Sequence, residues 1–272
     1  MSQTWINSPG LIFYKSDSLG RVILGTDRTT VRTSLGQKGE GAVDTAISSD
    51  QPKPKVNIDV ISDVMCPWCY IGKRRLEKAL EMVPDIDVDV HWRPFQLDPT
   101  LPPEGKDRKQ YLSEKFGGIE QANALYQNVV NAAAGEGLDL KVDRIERSPN
   151  TIDAHRLIRW AATTGLQDAV VERLFQLYFM EGADLTKRET FFAVAEETGM
   201  DRALVENLYN SGADIDEVKE EISVAGRMGV SGVPFFIFDN QYAVSGAQDS
   251  ANIAEVLRKV ASEKPAETEV EA

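Results

Sequence analysis

The chain has 272 residues, 42% of them hydrophobic and 27% charged, enough for one large or two modest domains with a self-sufficient core. A formal net charge of −13 argues against nucleic acid, whose binding requires a basic footprint, and no apolar run approaches the roughly 18 residues that cross a bilayer. The opening stretch MSQTWINSPGLIFYKSDS lacks the basic start, apolar core and small-residue cleavage site of a secretory signal, so a cytoplasmic location and no membrane partner are expected.

Residues 1–55 carry more basic than acidic side chains, and GTDRTTVRTSLGQKGEGAVDTAISSDQPKPK is rich in Gly, Ser and Thr with few large apolar residues. This reads as a disordered N-terminal extension, although LIFY and RVILGT have strand character and could pair as a hairpin. The folded part opens at Val56, where VNIDVIS shows the apolar alternation of a strand. Pro67 takes the favoured first position of a helix. Ile71, Leu76, Leu80 and Val83 mark that helix's apolar face, and Pro84-Asp85 ends it. IDVDVHWRPF is a second alternating strand, followed by the loop DPTLPPEGKD.

From about 108 to 229 the pattern is helical. ALYQNVVNAAAGEG, AHRLIRWAATTG, VVERLFQLYFMEG, ETFFAVAEETG and ALVENLYNSG each end in glycine, as helices commonly do. Asn150-Thr151 and Thr186 to Glu189 offer capping starts. GVPFFIFDNQYAVSG then reads as a hairpin turning at Asp239-Asn240, SANIAEVLRKVAS as a last amphipathic helix, and EKPAETEVEA as a short acidic disordered tail. The order predicts an α/β fold in which 56–107 and 230–262 share one sheet and 108–229 is an all-helical insertion. Residues 263–272 form the tail. In such sheets ligands bind beyond the strand ends, where helix N-termini point.

Cys66-Pro67-Trp68-Cys69 contains both cysteines of the chain, and three chemistries fit the spacing. Tetrahedral zinc needs four ligands, and the only histidines, His91 and His155, would have to be gathered from far along the sequence. Two buried cysteines acting as small hydrophobes would explain neither the absence of cysteine elsewhere nor Pro67. A redox pair fits the context best: the first cysteine follows a strand at a helix N-terminus, where the dipole favours a thiolate. The second lies one turn on, within reach of a mixed disulfide. Val233-Pro234 either begins a strand or forms a cis-proline loop against the cysteines. Lys73, Arg74 and Arg75 either steer anionic substrates or form a solvated helix face. His155 reads as a packing or hydrogen-bonding residue and His91 as a strand residue facing solvent or a polar neighbour. Nucleophile elbow, P-loop and dinucleotide fingerprint are all absent.

Taken together, SDVMCPWCYIGKRRLE, HWRPFQLDP, NTIDAHRLIRWA and GVSGVPFFIFDNQYAVSGAQ resemble the DsbA-family thioredoxin-fold proteins, nearest the FrnE-like dithiol–disulfide isomerases of bacteria. The resemblance covers about 56–260 and implies a thioredoxin fold carrying the helical insertion. It implies that Cys66 attacks and Cys69 resolves, that Pro67 and Trp68 set the redox poise, and that Val233 precedes a cis-Pro234 facing bound peptide or glutathione. The wider superfamily includes kappa-class glutathione transferases and 2-hydroxychromene-2-carboxylate isomerases, which carry serine where this chain has Cys66. Those relatives hold the glutamyl end of glutathione at the start of the last helix, which implies a glutathione role for Ser245 and Gln248. The expected function is thiol–disulfide exchange on protein or small-molecule disulfides, with no bound cofactor or metal, glutathione as a candidate co-substrate and a homodimer left open. The rival readings are a glutathione-dependent transferase or isomerase and a peptide-binding, chaperone-like module.

Overall fold

The computed structural model describes Phe13–Ser16, Val22–Gly25 and 53–264. Other residues of the expected N-terminal extension and tail lie outside the described residues. Strands β1 (Phe13–Ser16) and β2 (Val22–Gly25) pair as an antiparallel hairpin, the alternative that LIFY and RVILGT suggested. They join β3 (Lys55–Ser62), β4 (Asp87–Pro94), β7 (Phe235–Phe238) and β8 (Tyr242–Ser245) in one six-stranded sheet of order β2-β1-β8-β7-β3-β4. A separate two-stranded ladder pairs β5 (Lys106–Asp107) with β6 (Arg147–Ser148).

Strand β3 lies between a parallel partner, β4, and an antiparallel one, β7. Its Val56, Ile58 and Val60 are buried, and all four side chains of β7 (FFIF) are buried as well. A strand covered on both faces reads as a continuous apolar run rather than an alternation. The β7–β8 hairpin turns at Asp239 and Asn240, with φ of 47° and 55°. That is the left-handed pair that a two-residue turn between twisted strands requires. Helix α1 (Pro67–Glu81) crosses from β3 to β4 and packs on α9 (Ser250–Ser262).

Between the two halves lie α2 (Arg108–Phe116), α3 (Ile119–Gly135), α4 (Ile152–Ala162), α5 (Gln167–Gln176), α6 (Arg188–Thr198), α7 (Arg202–Asn210) and α8 (Ile215–Arg227). Helix α5 runs on into a π-helical turn, Leu177–Glu181. The glycine stops fall where the sequence indicates, with Gly182, Gly199 and Gly212 at φ of 73°, 86° and 71°. The expected caps differ: neither Thr151 nor Lys187, at the N-caps of α4 and α6, makes a side-chain cap bond. Instead the Asn150 side chain accepts the Ile152 amide at 3.1 Å, while Thr186 is turned to Asp184.

The insertion is fastened to α1 by charge. The Lys73 side chain is only 2% exposed and pairs with Glu77, with Asp168 at 3.0 Å and with Glu172 at 3.4 Å. Burial by itself would depress its pKa, but Asp168 and Glu77 outweigh it and raise the ammonium above its ordinary value. Asp168 also accepts the Trp92 indole N–H, so α1, α5 and β4 meet at one carboxylate. Lys73→Met removes the buried ammonium that Glu77, Asp168 and Glu172 share and leaves the largely buried Glu172 to Arg74 alone. It is expected to lower stability by about 2–4 kcal/mol, read from the urea midpoint; a shift under about 0.5 kcal/mol, the range of ordinary surface substitutions, would refute the fastening role.

Candidate functional site

The site begins where β3 runs out. Ser62 ends the strand, Asp63 follows wholly buried, and the Cys66 amide closes a turn onto the Asp63 carbonyl at 2.9 Å. Cys66 is then the N-cap of α1, with Pro67 at its first position because a proline costs nothing where the helix has no partner for its amide. Cys66 and Cys69 are free and buried, and they approach within 3.5 Å of each other. Burial first, and the neighbouring Cys66 second, push the Cys69 thiol well above its usual range. The Asp63 backbone and the Ser62 side chain pull against that shift without cancelling it.

The far end of the chain forms the facing wall. The Val233–Pro234 peptide bond is cis, and the Cys66 thiol lies 3.6 Å from the Val233 carbonyl oxygen, to which it can donate. Pairing of β3 with β7 delivers Val233 there, across 167 residues of sequence. Ser245 sits opposite Phe235 in the β7–β8 ladder, and the Gly246 amide donates to the Pro234 carbonyl at 2.8 Å. Gln248 folds back on this loop, donating to the Ser245 carbonyl at 3.0 Å, and Arg75 of α1 donates to the Ala247 carbonyl at 2.5 Å. Cys66, Cys69, Val233, Pro234 and the 245–248 loop are thus one neighbourhood. Trp68 is half-buried on the first turn of α1.

Two contributors, Asp63 and Gly72, went unnoticed in the sequence. Asp63 accepts the Leu97 amide at 2.7 Å and the Met65 amide at 3.4 Å. His155 is buried, as a hydrogen-bonding histidine should be, with Nε2 2.8 Å from the Phe95 carbonyl. A carbonyl only accepts, so that nitrogen carries the proton, and the Asp63 carboxylate stands 3.6 Å away. The sequence signal was a carboxylate at the buried end of a strand, directly before the cysteine pair. Gly72 is a second omission: a Cβ there would lie 2.8 Å from Pro234 Cγ, so only glycine lets the proline loop rest on α1.

The basic cluster behind the cysteines corrects both of its sequence readings. It is neither a solvated face nor a free anion guide. Lys73 is buried, Arg74 pairs with Glu77 at 2.7 Å and with Glu172, and Arg75 pairs with Glu136 at 2.7 Å and Asp249 at 3.2 Å. His91 lies 3.6 Å from Asp89 and 40% exposed. Among the described residues no group of three or more His, Cys, Asp or Glu side chains is arranged to hold a metal ion, and no helix is long and apolar enough to cross a membrane.

A family model for a DsbA-like thioredoxin domain matches residues 57–258. The chain belongs to that family. This DsbA-like chain is similar to the probable DsbA oxidoreductase of Streptomyces coelicolor, at 31% identity and a TM-score of 0.70, over 80% of this chain and 94% of that one. It is also similar to a 2-hydroxychromene-2-carboxylate isomerase, at 17% identity and a TM-score of 0.57, over 77% of this chain and 100% of that one. A third likeness is to the cytosolic disulfide reductase DsbM of Pseudomonas aeruginosa, solved with GSH, at 17% identity and a TM-score of 0.50, over 76% and 96%. The last two share the fold. The thioredoxin fold with a helical insertion, expected from the motifs, is therefore the fold of this chain.

Gly72→Ala forces the new methyl group against the Pro234 ring. It is expected to cost about 1–3 kcal/mol by overpacking and to speed alkylation of Cys66 as the Val233 carbonyl is pushed away. Unchanged melting temperature and unchanged alkylation rate would show that the loop does not rest on α1.

Proposed function

We propose that this DsbA-like chain is a cytoplasmic thiol–disulfide oxidoreductase, acting on protein or small-molecule disulfides through Cys66 as nucleophile and Cys69 as resolving thiol. Members of the family are disulfide oxidoreductases. The observation that carries the reading is the placement of two free cysteines within 3.5 Å at the start of α1, one of them against the carbonyl of Val233.

In the proposed cycle the Cys66 thiolate attacks one sulfur of a substrate disulfide. A bond forms between Cys66 and that sulfur, the substrate S–S bond breaks, and the other half leaves as a thiolate that takes up a proton. Cys69 then loses its proton, attacks the Cys66 sulfur and releases the second half as a thiol. The enzyme gives up two electrons and two protons, and the substrate gains both. A dithiol or low-molecular-weight thiol reductant, with glutathione as the proposed co-substrate, returns the Cys66–Cys69 pair to its reduced form; run backwards, the same steps oxidise dithiols. Val233 and Pro234, packed against Cys66, form the wall that the substrate chain meets in this reading, Pro67 and Trp68 tune the pair, and Ser245 and Gln248 border the same wall.

The burial of Cys69 sets the pH dependence. Its pKa is raised, so at neutral pH the resolving thiol is mostly protonated, and release of product accelerates as pH rises toward that pKa. Cys66→Ser is expected to abolish insulin-disulfide reduction, and Cys69→Ser to accumulate mixed disulfides detectable by mass spectrometry. In the native enzyme the lifetime of the mixed disulfide is expected to shorten by up to about tenfold per pH unit below the Cys69 pKa. Full reduction of insulin by Cys66→Ser would sink the proposal. Consumption of glutathione with an electrophile, undiminished in Cys69→Ala, would make the chain a transferase instead.

A further inference from the structure

The chain has 43 acidic residues against 30 basic ones, and on α1 the excess acid leaves no cation unclaimed. Lys73, Arg74, Arg75 and Lys78 are all in ion pairs. Helix α2 breaks that rule. Arg108, Tyr111 and Lys115 are spaced three and four residues apart, which puts them on one helix face. No carboxylate among the described residues pairs with either cation; their hydrogen-bond acceptors are tyrosine hydroxyls and a backbone carbonyl.

Arg108 is 3% exposed. Its Nη1 donates to the Tyr178 hydroxyl at 3.0 Å, and its Nη2 is buried without a hydrogen-bond partner. The guanidinium lies 5.1 Å from the ring centre of Tyr126 and 5.7 Å from that of Tyr178. Burial pulls the Arg108 pKa down, but Tyr178, Tyr126 and Tyr111 outweigh it and hold the guanidinium above its ordinary value, so this end of α2 carries a fixed positive charge. Lys115, at the other end, is exposed. Its Nζ donates to the Tyr111 hydroxyl at 2.6 Å and to the Leu97 carbonyl at 3.5 Å.

Leu97 connects this face to the redox pair, because its amide holds the Asp63 carboxylate three residues before Cys66. Although Lys115 is exposed as a whole, its ammonium is tucked against the Tyr111 hydroxyl, and that burial pulls its pKa below the ordinary value against the opposing pull of Asp98, Asp63 and Cys66. One further charge of negative sign brought to this rim would be met by a cation with no competing ion pair.

We propose that Lys115, braced by Tyr111 and backed by the field of Arg108, is a specificity-determining residue that selects low-molecular-weight disulfides carrying a carboxylate. The inference rests on the thiol–disulfide reading above and names its substrate class. The carboxylate would sit at Lys115 while the disulfide meets Cys66, and the electron and proton balance is that of the cycle already given.

The test is a single-turnover comparison using the reduced, full-length protein. It is mixed separately with glutathione disulfide, which is anionic, with 2-hydroxyethyl disulfide, which is neutral, and with cystamine, which is cationic, at low and high ionic strength. The native protein is expected to favour glutathione disulfide, and added salt should erode that preference. Lys115→Gln is expected to lower the rate ratio of glutathione disulfide to 2-hydroxyethyl disulfide about five- to tenfold, Lys115→Glu to shift the preference toward cystamine, and Lys115→Arg to keep the native ratio. A ratio unmoved by Lys115→Gln, with the two rates either intact or reduced alike, overturns the inference and leaves the oxidoreductase reading standing. Failure of the native protein to react with any of the three disulfides overturns that reading itself.

Discussion

The arrangement hangs on one buried carboxylate. Asp63 has no exposed surface, and an ion stripped of water costs several kcal/mol unless the protein replaces its hydrogen bonds. The replacements come from the Leu97 amide at 2.7 Å, a charge-assisted bond contributing about 1.5–3 kcal/mol, and more weakly from the Met65 amide at 3.4 Å. Satisfying Asp63 therefore fixes the turn into the cysteines and draws the loop after β4 against the end of β3. His155 completes the knot from the insertion, held to Phe95 on that same loop. The three stretches SDVMC, HWRPFQLDP and NTIDAHRLIRWA, far apart in the sequence, meet here because one charge needs all of their geometry.

That knot explains why the helical insertion is more than an appendage. Helix α4 reaches the end of β3 through His155, and α5 reaches α1 through Asp168 and Glu172. Both attachments involve charge at low exposure, where removing one partner costs more than the pair contributes. The insertion is therefore registered near the cysteines at two points, one at the end of β3 and one on α1. A helix of the insertion can then present a side chain to the redox pair at a fixed position, which a loosely tethered lid could not do.

The larger elements were legible from periodicity and punctuation. VNIDVIS, the proline at the start of α1, the glycine stops and the FFIF–YAVS hairpin all rest on backbone preferences that act within a few residues. The cysteine pair was legible for the same reason, since its chemistry lies in spacing and in a strand-to-helix junction. The partners of the site were not. Asp63, Gly72 and Leu97 acquire meaning only when β3 pairs with β4 and β7, and nothing local marks an aspartate as buried or a helical glycine as facing a proline. The cations of α1 misled in the opposite direction: a run of Lys and Arg looks available until Glu136 at the end of α3 and the carboxylates of α5 arrive in three dimensions.

The same contrast separates chemistry from recognition. The redox pair, the Val233 carbonyl and the Pro234 loop all belong to the sheet and to α1, whose positions are dictated by the core: Ile58, Val60 and Phe236 are buried within it. Little there can change without unfolding the strand ends. Helix α2 anchors Tyr111 and Leu112 in the same core but reaches toward the site through an exposed lysine and a loop carbonyl. Substitution at Lys115 alters charge at the rim while leaving the packing of β3 and β7 untouched. On the function proposed, exchange chemistry is tied to fold stability, whereas the choice of disulfide is carried by an exposed side chain that can change without disturbing the core. A thioredoxin core that has accepted a large insertion gains, by that geometry, a second wall whose charge is set independently of the first.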